Sequence, residues 1–289
     1  MDLNERTFDA GAVILNYVEA PSPEPPLVLL HGGNARWQSF ESIVPDLAAE
    51  WHIYAPEFRG HGRSGWVTGS YRLQDYTDDT IAFLRGRVCE PAYLFGHSLG
   101  GIVALMVAAQ YPEGIRAVVV GDSPLSSQTW HNVLLQQEDR LRAWQELAGG
   151  QVSFDQLVEA IKAAPIEIPG RQDPVAMREV MGEDAPVYAW LAANLYQSDP
   201  DTLTALFERF DQTAAGYEAG AILPQIRCPV LLLQADLAGG GLMTNAEVEQ
   251  ALHLLARPSH VQLEGVPHAL HHIHPAPVAE AIKAFLQSW

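Results

Sequence analysis

The sequence predicts an α/β fold in which a mostly parallel central sheet is flanked by helices. Short, continuous apolar runs such as "LVLLHGG" and "PVLLLQAD" are typical of buried parallel strands. They alternate along the chain with segments of helical character, the pattern of a parallel sheet covered by helices on both faces. The chain has 289 residues, of which 48% are hydrophobic and 18% are charged, so it can bury a substantial core.

The predicted strands and helices follow one another in a regular order. A stiff turn, "APSPEPP", separates the first two strands. In "YTDDTIAFLRGR" the acidic residues come early and the basic residues late, as a helix prefers. The predicted strands are "AVILNYVEA", "LVLLHGG", "WHIYAP", "AYLFGH", "IRAVVVGDSP", "PVLLLQAD" and "HVQLEGVPH", and the predicted helices are "YTDDTIAFLRGR", "LGGIVALMVAAQ", "NAEVEQALHLLA" and "PVAEAIKAFLQSW".

A mostly helical insert interrupts this alternation. Residues 125–223 are rich in Leu, Ala, Gln and Glu, with helical spacing in "VLLQQEDRLRAWQELA" and "TLTALFERF". We therefore predict a core domain formed by residues 1–124 and 224–289, and a separate helical domain formed by residues 125–223.

The net charge, the absence of long apolar runs and the cysteines limit the binding partners and the location that we expect. The formal net charge is −18, and such an acidic surface repels phosphate, so neither nucleic acid nor an anionic membrane is an expected partner. No apolar run reaches the ~18 residues of a membrane-spanning helix, and "MDLNE" has no signal-peptide character. Cys89 and Cys228 show no C-x-x-C spacing and are expected to be buried free thiols. A cytoplasmic location is expected.

The stretch Gly96-His97-Ser98-Leu99-Gly100 fits the pattern G-x-S-x-G between a predicted strand and a predicted helix. In that setting the serine sits on a sharp, strained turn, and the flanking positions must be small because the strand and the helix pass close together. The turn exposes the hydroxyl and directs the N-terminus of the helix at any oxyanion that forms beside it. Ser98 is therefore the predicted nucleophile. A glycine-rich helix start with an N-cap serine is the alternative.

The chain resembles the α/β-hydrolase fold family over nearly its whole length except the insert. "LVLLHGG" is similar to the family's strand and oxyanion loop, and "GHSLGG" to its nucleophile elbow. "APEFRGHGRS" is similar to its Asp-x-Arg-Gly-x-Gly-x-Ser loop, with Glu57 in place of the aspartate. "GVPHALH" resembles the segment that carries the catalytic histidine. The resemblance implies a serine hydrolase without metal or cofactor, and it places the insert where the family has its cap domain.

His268 is the predicted general base, since it follows the last predicted strand, where the resemblance places that histidine. His271, His272 and His274 crowd after it, but no matching Asp, Glu or Cys set accompanies them. We therefore expect no metal site, and we expect His97 to pack beside the elbow.

The carboxylate that orients the base has two candidates. After the strand in "CPVLLLQAD", Ala238 stands at the position of the family's usual aspartate, and Asp236 comes two positions early. Asp122 follows the strand after the elbow helix, at the family's other location for this acid. Asp122 is preferred and Asp236 is the alternative, although both also suit an ordinary turn.

The oxyanion hole requires two N–H donors. Leu99 supplies one by its position after the nucleophile, and the resemblance implies Gly33 for the second. His31 and the set Arg59, His61, Arg63 and Ser64 are interpreted as a hydrogen-bonded loop scaffold. One or two of the aromatic residues of the insert are expected to line the substrate pocket. The aromatic residues considered are Trp130, Trp144, Tyr188, Trp190, Tyr196 and Phe207.

These residues predict hydrolysis of a carboxylic ester or a lactone of a small hydrophobic molecule through an acyl-enzyme. The same residues could serve carbon–carbon bond hydrolysis, acyl transfer or perhydrolysis. A ligand-binding protein without activity, built on the same scaffold, is the alternative from another functional class. The serine at position 98 argues against the branches of the family that use an aspartate nucleophile.

Overall fold

An eight-stranded sheet runs through the computed structural model, which describes residues 3–166, 171 and 173–289. The strand order is β1-β2-β4-β3-β5-β6-β9-β10; β2 is antiparallel to both of its neighbours, and the remaining pairs are parallel. The predicted α/β fold is thereby confirmed. The strands are β1 Asn4–Asp9, β2 Ile14–Ala20, β3 Pro26–Leu30, β4 His52–Pro56, β5 Ala92–His97, β6 Ile115–Gly121, β7 Pro165–Ile166, β8 Val175–Ala176, β9 Val230–Gln234 and β10 Pro258–Gln262.

Helices cover both faces of the sheet and also fill the stretch between β6 and β9. The α-helices are α1 Val44–Leu47, α2 Leu73–Phe83, α3 Leu99–Gln110, α4 Ser127–Gln136, α5 Glu138–Leu147, α6 Phe154–Ala163, α7 Met177–Met181, α8 Val187–Tyr196, α9 Asp201–Glu208, α10 Phe210–Thr213, α11 Ala219–Ile222, α12 Asn245–Leu254, α13 Leu270–Ile273 and α14 Pro275–Leu286. Short 3₁₀ turns span Trp37–Phe40, Pro112–Gly114, Leu223–Gln225 and Leu237–Gly239, and a π turn spans Leu84–Val88.

The central strands are buried on both faces, which explains their continuous apolar runs. In β3, Leu27 and Leu29 pack into the cluster that contains α1 and α14, whereas Val28 and Leu30 pack into the cluster that contains α2 and α3. Successive side chains of a strand point to opposite faces, so each central strand contributes to two cores. This double burial holds the carboxyl ends of β5, β6 and β9 in fixed positions at one edge of the sheet.

The segment between β6 and β9 contains helices α4 to α11 and a small hairpin of β7 and β8. Part of it has an apolar cluster of its own, in which Leu157 and Ile161 of α6 pack against α8. The helical pattern predicted for residues 133–148 is interrupted at Gln137, which separates α4 from α5. The division of the chain into a core and a cap domain stays a prediction.

Two features differ from the predictions. The edge strand β1 was not predicted, because its sequence "NERTFD" is mostly exposed and has no apolar run. The prediction of two buried thiols was wrong for Cys89, which is exposed, and correct for Cys228. Cys89 follows the π turn with a φ of 63°, at a surface position where the helix ends. Within the described ranges, no helix is long and apolar enough to cross a membrane.

Candidate active site

Ser98 occupies the turn between β5 and α3, with φ 54° and ψ −119°. This conformation is rare for a residue with a side chain and is held by the surrounding packing. A Cβ on Gly96 would collide with the backbone of Gly100, and a Cβ on Gly100 would collide with the carbonyl of Leu30. The glycines predicted from the G-x-S-x-G pattern are therefore required by backbone contacts. They let α3 start directly against the sheet and leave Ser98 at its edge.

Asp122 and His268 meet beside this turn. Asp122 is the first residue after β6, and His268 precedes α13. The Nδ1 of His268 donates a hydrogen bond of 2.7 Å to Oδ2 of Asp122, which is fully buried. The bond fixes the imidazole tautomer with the proton on Nδ1, so Nε2 carries the lone pair that a general base needs.

The surroundings of Asp122 favour its charged form. Burial by itself would raise the pKa of this carboxyl. The hydrogen bond and the charge of His268, together with the amides of Leu242 and Met243, outweigh burial and hold the pKa below its usual value. The same carboxylate accepts the amide of Ala235 at 3.2 Å. Asp122 is thus a buried carboxylate held by several donors, one of which is His268.

Asp236, the alternative acid, is occupied elsewhere. Its side chain accepts the amide of Ala238 at 2.9 Å and the amide of Gly265 at 3.0 Å. It therefore caps the short turn after β9 and ties that turn to the loop before His268. The structure brings Asp122 to His268 and leaves Asp236 as a local turn aspartate.

Gly33 and Leu99, the predicted oxyanion donors, line the same cavity as Ser98. Leu99 is the first residue of α3, and the amides of a helix's first turn have no partner within the helix. A Cβ on Gly32 would lie 3.3 Å from Cβ of Ser98, so the glycine loop approaches the serine closely. Both predicted donors therefore border the cavity at Ser98, and their role as an oxyanion hole stays a prediction.

His31 holds this glycine loop in place through hydrogen bonds. Its Nδ1 donates to the carbonyl of Gly32 at 2.7 Å, and its Nε2 accepts the amide of Phe58 at 2.9 Å. Burial is the main cause and the nearby His61 a smaller one that lower the pKa of His31 to about 3, so the ring is neutral near pH 7. Both ring nitrogens are used, which agrees with the interpretation of His31 as part of a scaffold.

The side chains of the loop after β4 form hydrogen bonds with the loop's own backbone and with α2. Arg59 pairs with the buried Asp79 at 2.6 Å, and Ser64 donates to the carbonyl of Glu57. His61 donates from Nδ1 to the carbonyl of Arg59, and burial lowers its pKa to about 4. These contacts support the interpretation of the loop as a scaffold, although the ring of His61 also lines the cavity.

The histidines around His268 form a packed group. The Nε2 of His97 donates to the carbonyl of His268 at 2.8 Å, and the two rings lie 4.7 Å apart. His271 is fully buried between His97 and Phe40, and His272 packs on Trp190. Within the described ranges, no three His, Cys, Asp or Glu side chains are arranged to hold a metal ion. His97 ties the elbow to the loop of the base.

A cavity of about 290 Å³ lies over Ser98 and His268. Its floor comes from the ends of the strands and its ceiling from helices between β6 and β9. Among the lining residues that the structure describes, none is Lys, Arg, Asp or Glu. They are Gly32, Gly33, Asn34, Ala35, Ser39, His61, Tyr71, Tyr76, His97, Ser98, Leu99, Leu242, His268, Ala269 and His272 from the floor, and Trp130, Val133, Leu134, Gln137, Leu141, Trp144, Trp190, Leu191, Thr202, Leu203, Leu206 and Thr213 from the ceiling.

Three of the six aromatic residues considered in the insert line this cavity: Trp130, Trp144 and Trp190. Tyr188 is fully buried and packs in the cluster between α6 and α8, whereas Tyr196 is exposed. The sixth, Phe207, lies under the guanidinium of Arg142 at 5.0 Å. The sequence does not separate these roles, because all six lie in segments with the same helical character.

Polar contacts join the segments above the cavity to the loops that follow β3 and β4, and no sequence pattern indicates these contacts. Arg36 donates to Oδ1 of Asn194 at 2.8 Å and to Oε1 of Gln197 at 3.0 Å. The hydroxyls of Thr68 and Tyr71 both donate to the carboxylate of Asp199. The partners are more than a hundred positions apart in sequence, so no local pattern could reveal them. They hold the ceiling of the cavity in a defined position.

Comparison with known proteins assigns the fold and the general class of the chain. A family model described as "Alpha/beta hydrolase family" matches residues 27–281. The chain is 26% identical to 2-(acetamidomethylene)succinate hydrolase of Mesorhizobium japonicum, over 98% of this chain and 95% of that protein. It is 36% identical over 99 residues to a pimeloyl-[acyl-carrier protein] methyl ester esterase of Edwardsiella ictaluri, covering 34% of this chain and 36% of the esterase.

A solved structure of E-2-(acetamidomethylene)succinate hydrolase superimposes with a TM-score of 0.75, covering 99% of this chain and 100% of that one. The two sequences are 21% identical, so this likeness shows the fold alone. The relatives named here are hydrolases, and their names describe different substrates.

Proposed function

The chain belongs to the alpha/beta hydrolase family, and on that premise we propose that it is a serine hydrolase that cleaves a carboxylic ester or a lactone. The observation that supports the proposal most directly is the 2.7 Å hydrogen bond between His268 and the buried Asp122. Ser98, held at φ 54°, lines the same cavity as His268. An activated serine needs a base within reach and a third group that orients the base.

In the proposed mechanism, the hydroxyl of Ser98 attacks the carbonyl carbon of the substrate. Nε2 of His268 takes the serine proton, and Asp122 stabilises the imidazolium that forms. The amides of Gly33 and Leu99 hold the oxyanion of the tetrahedral intermediate. His268 then gives the proton to the leaving alcohol, and a water molecule, activated by the same base, releases the acid from the acyl-enzyme.

The cavity indicates what kind of group is attached to the reacting carbonyl of the substrate. Its lining is apolar apart from a few neutral polar groups, so it favours a hydrophobic acyl or alkyl part. A volume of about 290 Å³ is close to the lower end, roughly 300 Å³, of the pockets that hold small molecules. The proposed substrate is therefore a small ester or lactone and not a polymer.

The first experiment measures turnover of p-nitrophenyl esters of increasing acyl length by the wild type and by Ser98→Ala. We expect turnover by the wild type and its loss in Ser98→Ala, because the serine forms the acyl-enzyme. Circular dichroism of both proteins serves as the control for folding. Equal turnover by the two proteins would refute Ser98 as the nucleophile.

Product analysis separates an ester from the other bonds that the same residues could cleave. One relative, 31% identical over 99 residues, is named 2-hydroxymuconate semialdehyde hydrolase, from a Pseudomonas strain. An ester yields an acid and an alcohol, whereas cleavage of a carbon–carbon bond yields two carbon fragments. A folded wild type that is inert on every ester but cleaves a vinylogous diketone would replace the ester proposal.

A further inference from the structure

Two polar side chains of the cavity wall, His61 and Tyr76, have no role in the proposed mechanism. His61 lies in the loop after β4, and Tyr76 lies on α2. Both side chains are buried in the protein, and both line the cavity over Ser98. Their ring centres are 6.3 Å apart, and the ring planes are inclined at 62° to each other. Two neighbouring segments thus present polar groups to the same part of the cavity.

The second ring nitrogen of His61 is a hydrogen-bond acceptor. Nδ1 donates to the carbonyl of Arg59 at 2.9 Å, so the proton of the neutral ring is on Nδ1. Burial is the main cause that lowers the pKa of His61 to about 4, which keeps the ring neutral near pH 7. Nε2 therefore carries a lone pair, and no described residue donates a hydrogen bond to it.

The hydroxyl of Tyr76 is a hydrogen-bond donor without an acceptor in the part of the chain that the structure describes. Burial raises the pKa of this phenol well above its usual value, so the hydroxyl keeps its proton. The neighbouring Tyr71 differs, because its hydroxyl donates to the carboxylate of Asp199 at 2.6 Å. Thr202 and Thr213, which also line the cavity, donate their hydroxyls to backbone carbonyls. The hydroxyl of Tyr76 is thus free, whereas these three are occupied.

The free atoms of His61 and Tyr76 remain in contact with the cavity. Some buried polar atoms of the described residues lack a partner and are sealed from solvent, and neither Nε2 of His61 nor the hydroxyl of Tyr76 is among them. The sealed atoms belong to Trp37, Gln38, Ser39, Arg140, Trp144, Asn194 and His271. Because both side chains are otherwise buried, the small surface that they keep faces the cavity that they line.

An acceptor beside a donor selects a group that can both donate and accept. A hydroxyl group does so with one oxygen atom, since it can donate to Nε2 of His61 and accept from Tyr76. A carboxylate or an ether oxygen only accepts, so it would leave the lone pair of His61 without a proton. An alkyl group in this place would leave both polar groups without a partner, which is costly in an apolar cavity.

We propose that His61 and Tyr76 form a subsite for a hydroxyl group, and that the substrate is a small ester or lactone that carries such a hydroxyl. This inference rests on the proposed function, because it places the reacting carbonyl of the same molecule beside Ser98. It extends that function by adding one polar contact to a cavity that otherwise favours hydrophobic groups. His61 then belongs to the binding site as well as to the loop scaffold.

The test compares hydroxylated esters with the parent esters that lack the hydroxyl. Methyl hexanoates with a hydroxyl on the second, third or terminal carbon are compared with methyl hexanoate, and hydroxyethyl hexanoate is compared with propyl hexanoate. A pH indicator follows acid release and gives kcat/KM for each ester. We expect the wild type to favour at least one hydroxylated ester over its parent by about 10-fold or more, because the parent leaves two buried polar groups unpaired.

Tyr76→Phe removes the donor and keeps the ring. It should lower this preference by about 5-fold, the effect of one neutral hydrogen bond. Because the hydroxyl has no partner among the described residues, the free energy of unfolding should not fall, whereas a structural role of the hydroxyl would lower it. His61→Phe, which removes the acceptor, should lower the preference as well, and circular dichroism checks that this variant is folded.

Tyr196→Phe is the matched control, because Tyr196 is exposed and does not belong to the described lining of the cavity. The ratio between hydroxylated and parent esters should be unchanged in this variant. The subsite proposal is overturned if the wild type prefers no hydroxylated ester, or if Tyr76→Phe and Tyr196→Phe show the same ratio.

A binding measurement separates failure of the subsite from failure of the proposed function. In the Ser98→Ala background, calorimetry measures binding of each ester of the panel with and without Tyr76→Phe. Tighter binding of a hydroxylated ester that depends on Tyr76, with no ester turned over by the wild type, would support the subsite and refute the ester hydrolase. Turnover of hydroxylated and parent esters with equal kcat/KM would support the hydrolase and refute the subsite.

Discussion

At the scale of single residues, the two candidate aspartates differ in what their side chains touch. Asp122 is fully buried and bonded to His268, whereas Asp236 is bonded to the backbone of its own turn and of the neighbouring loop. Both follow a parallel strand, so both lie at the edge of the sheet where chemistry takes place in such folds. Only the contact with His268 gives Asp122 a means to orient the base.

The pair Asp122→Asn and Asp236→Asn tests this difference. An asparagine at position 122 would leave the packing in place but would no longer hold the proton on Nδ1 of His268 or stabilise its cation. We expect kcat on a p-nitrophenyl ester to fall by roughly 10³- to 10⁴-fold in Asp122→Asn. Asp236→Asn, which changes only a turn, should keep most of the activity. The opposite ranking would show that Asp122 is not the acid.

At the scale of elements, the junction of β5 and α3 depends on contacts between backbones. Gly100 lies against the end of β3, where an added Cβ would collide with the carbonyl of Leu30 and would approach that of His31 to 2.7 Å. A backbone cannot move aside as a flexible side chain can, so the strand and the helix would have to separate. The catalytic turn and the stability of the core are therefore linked through one glycine.

Gly100→Ala is expected to destabilise the protein by about 2 kcal/mol or more, since overpacking at a rigid site typically costs about 1–3 kcal/mol. Gly220→Ala is the control, because nothing lies within 4 Å of a Cβ at that helical position. Its free energy of unfolding should stay unchanged or rise by up to about 1 kcal/mol. Urea denaturation followed by circular dichroism measures both. Equal stability of the two variants would contradict the close approach at Gly100.

At the scale of the whole molecule, several buried histidines are neutral, and this makes folding sensitive to acid. Burial lowers the pKa of His31 to about 3 and that of His61 to about 4. In the unfolded chain a histidine has a pKa of about 6.5. Between these values the unfolded state binds more protons than the folded state. The stability that neutral histidines provide is therefore complete above about pH 6.5 and is lost as the pH falls toward the folded pKa.

His31→Gln should flatten the fall in stability between about pH 6 and pH 4.5. One proton of difference corresponds to a slope of about 1.4 kcal/mol per pH unit, and the variant should lose about that much of the slope. The variant is also expected to be less stable at neutral pH, because His31 makes two buried hydrogen bonds. Urea unfolding at several pH values gives both quantities. An unchanged slope would mean that His31 does not stay neutral in the folded protein.

Most of the fold could be predicted from the sequence, because its signals are local. Apolar runs mark the buried strands, and the glycines around Ser98 mark a sharp strand-to-helix turn. The edge strand β1 and the exposure of Cys89 could not be predicted, since neither depends on an apolar pattern. For the site, the sequence placed Ser98 on its turn and His268 after the last strand, and it left the choice of acid open.

The sequence by itself determined the order of the central strands with the helices between them and the position of the elbow serine, because those depend on residues close together in the chain. Only the tertiary structure decided which aspartate contacts His268, because Asp122 and His268 are 146 positions apart in the chain. It also decided which of the tryptophans line the cavity. Such contacts depend on how distant segments pack, and packing in three dimensions leaves no periodic pattern in the chain.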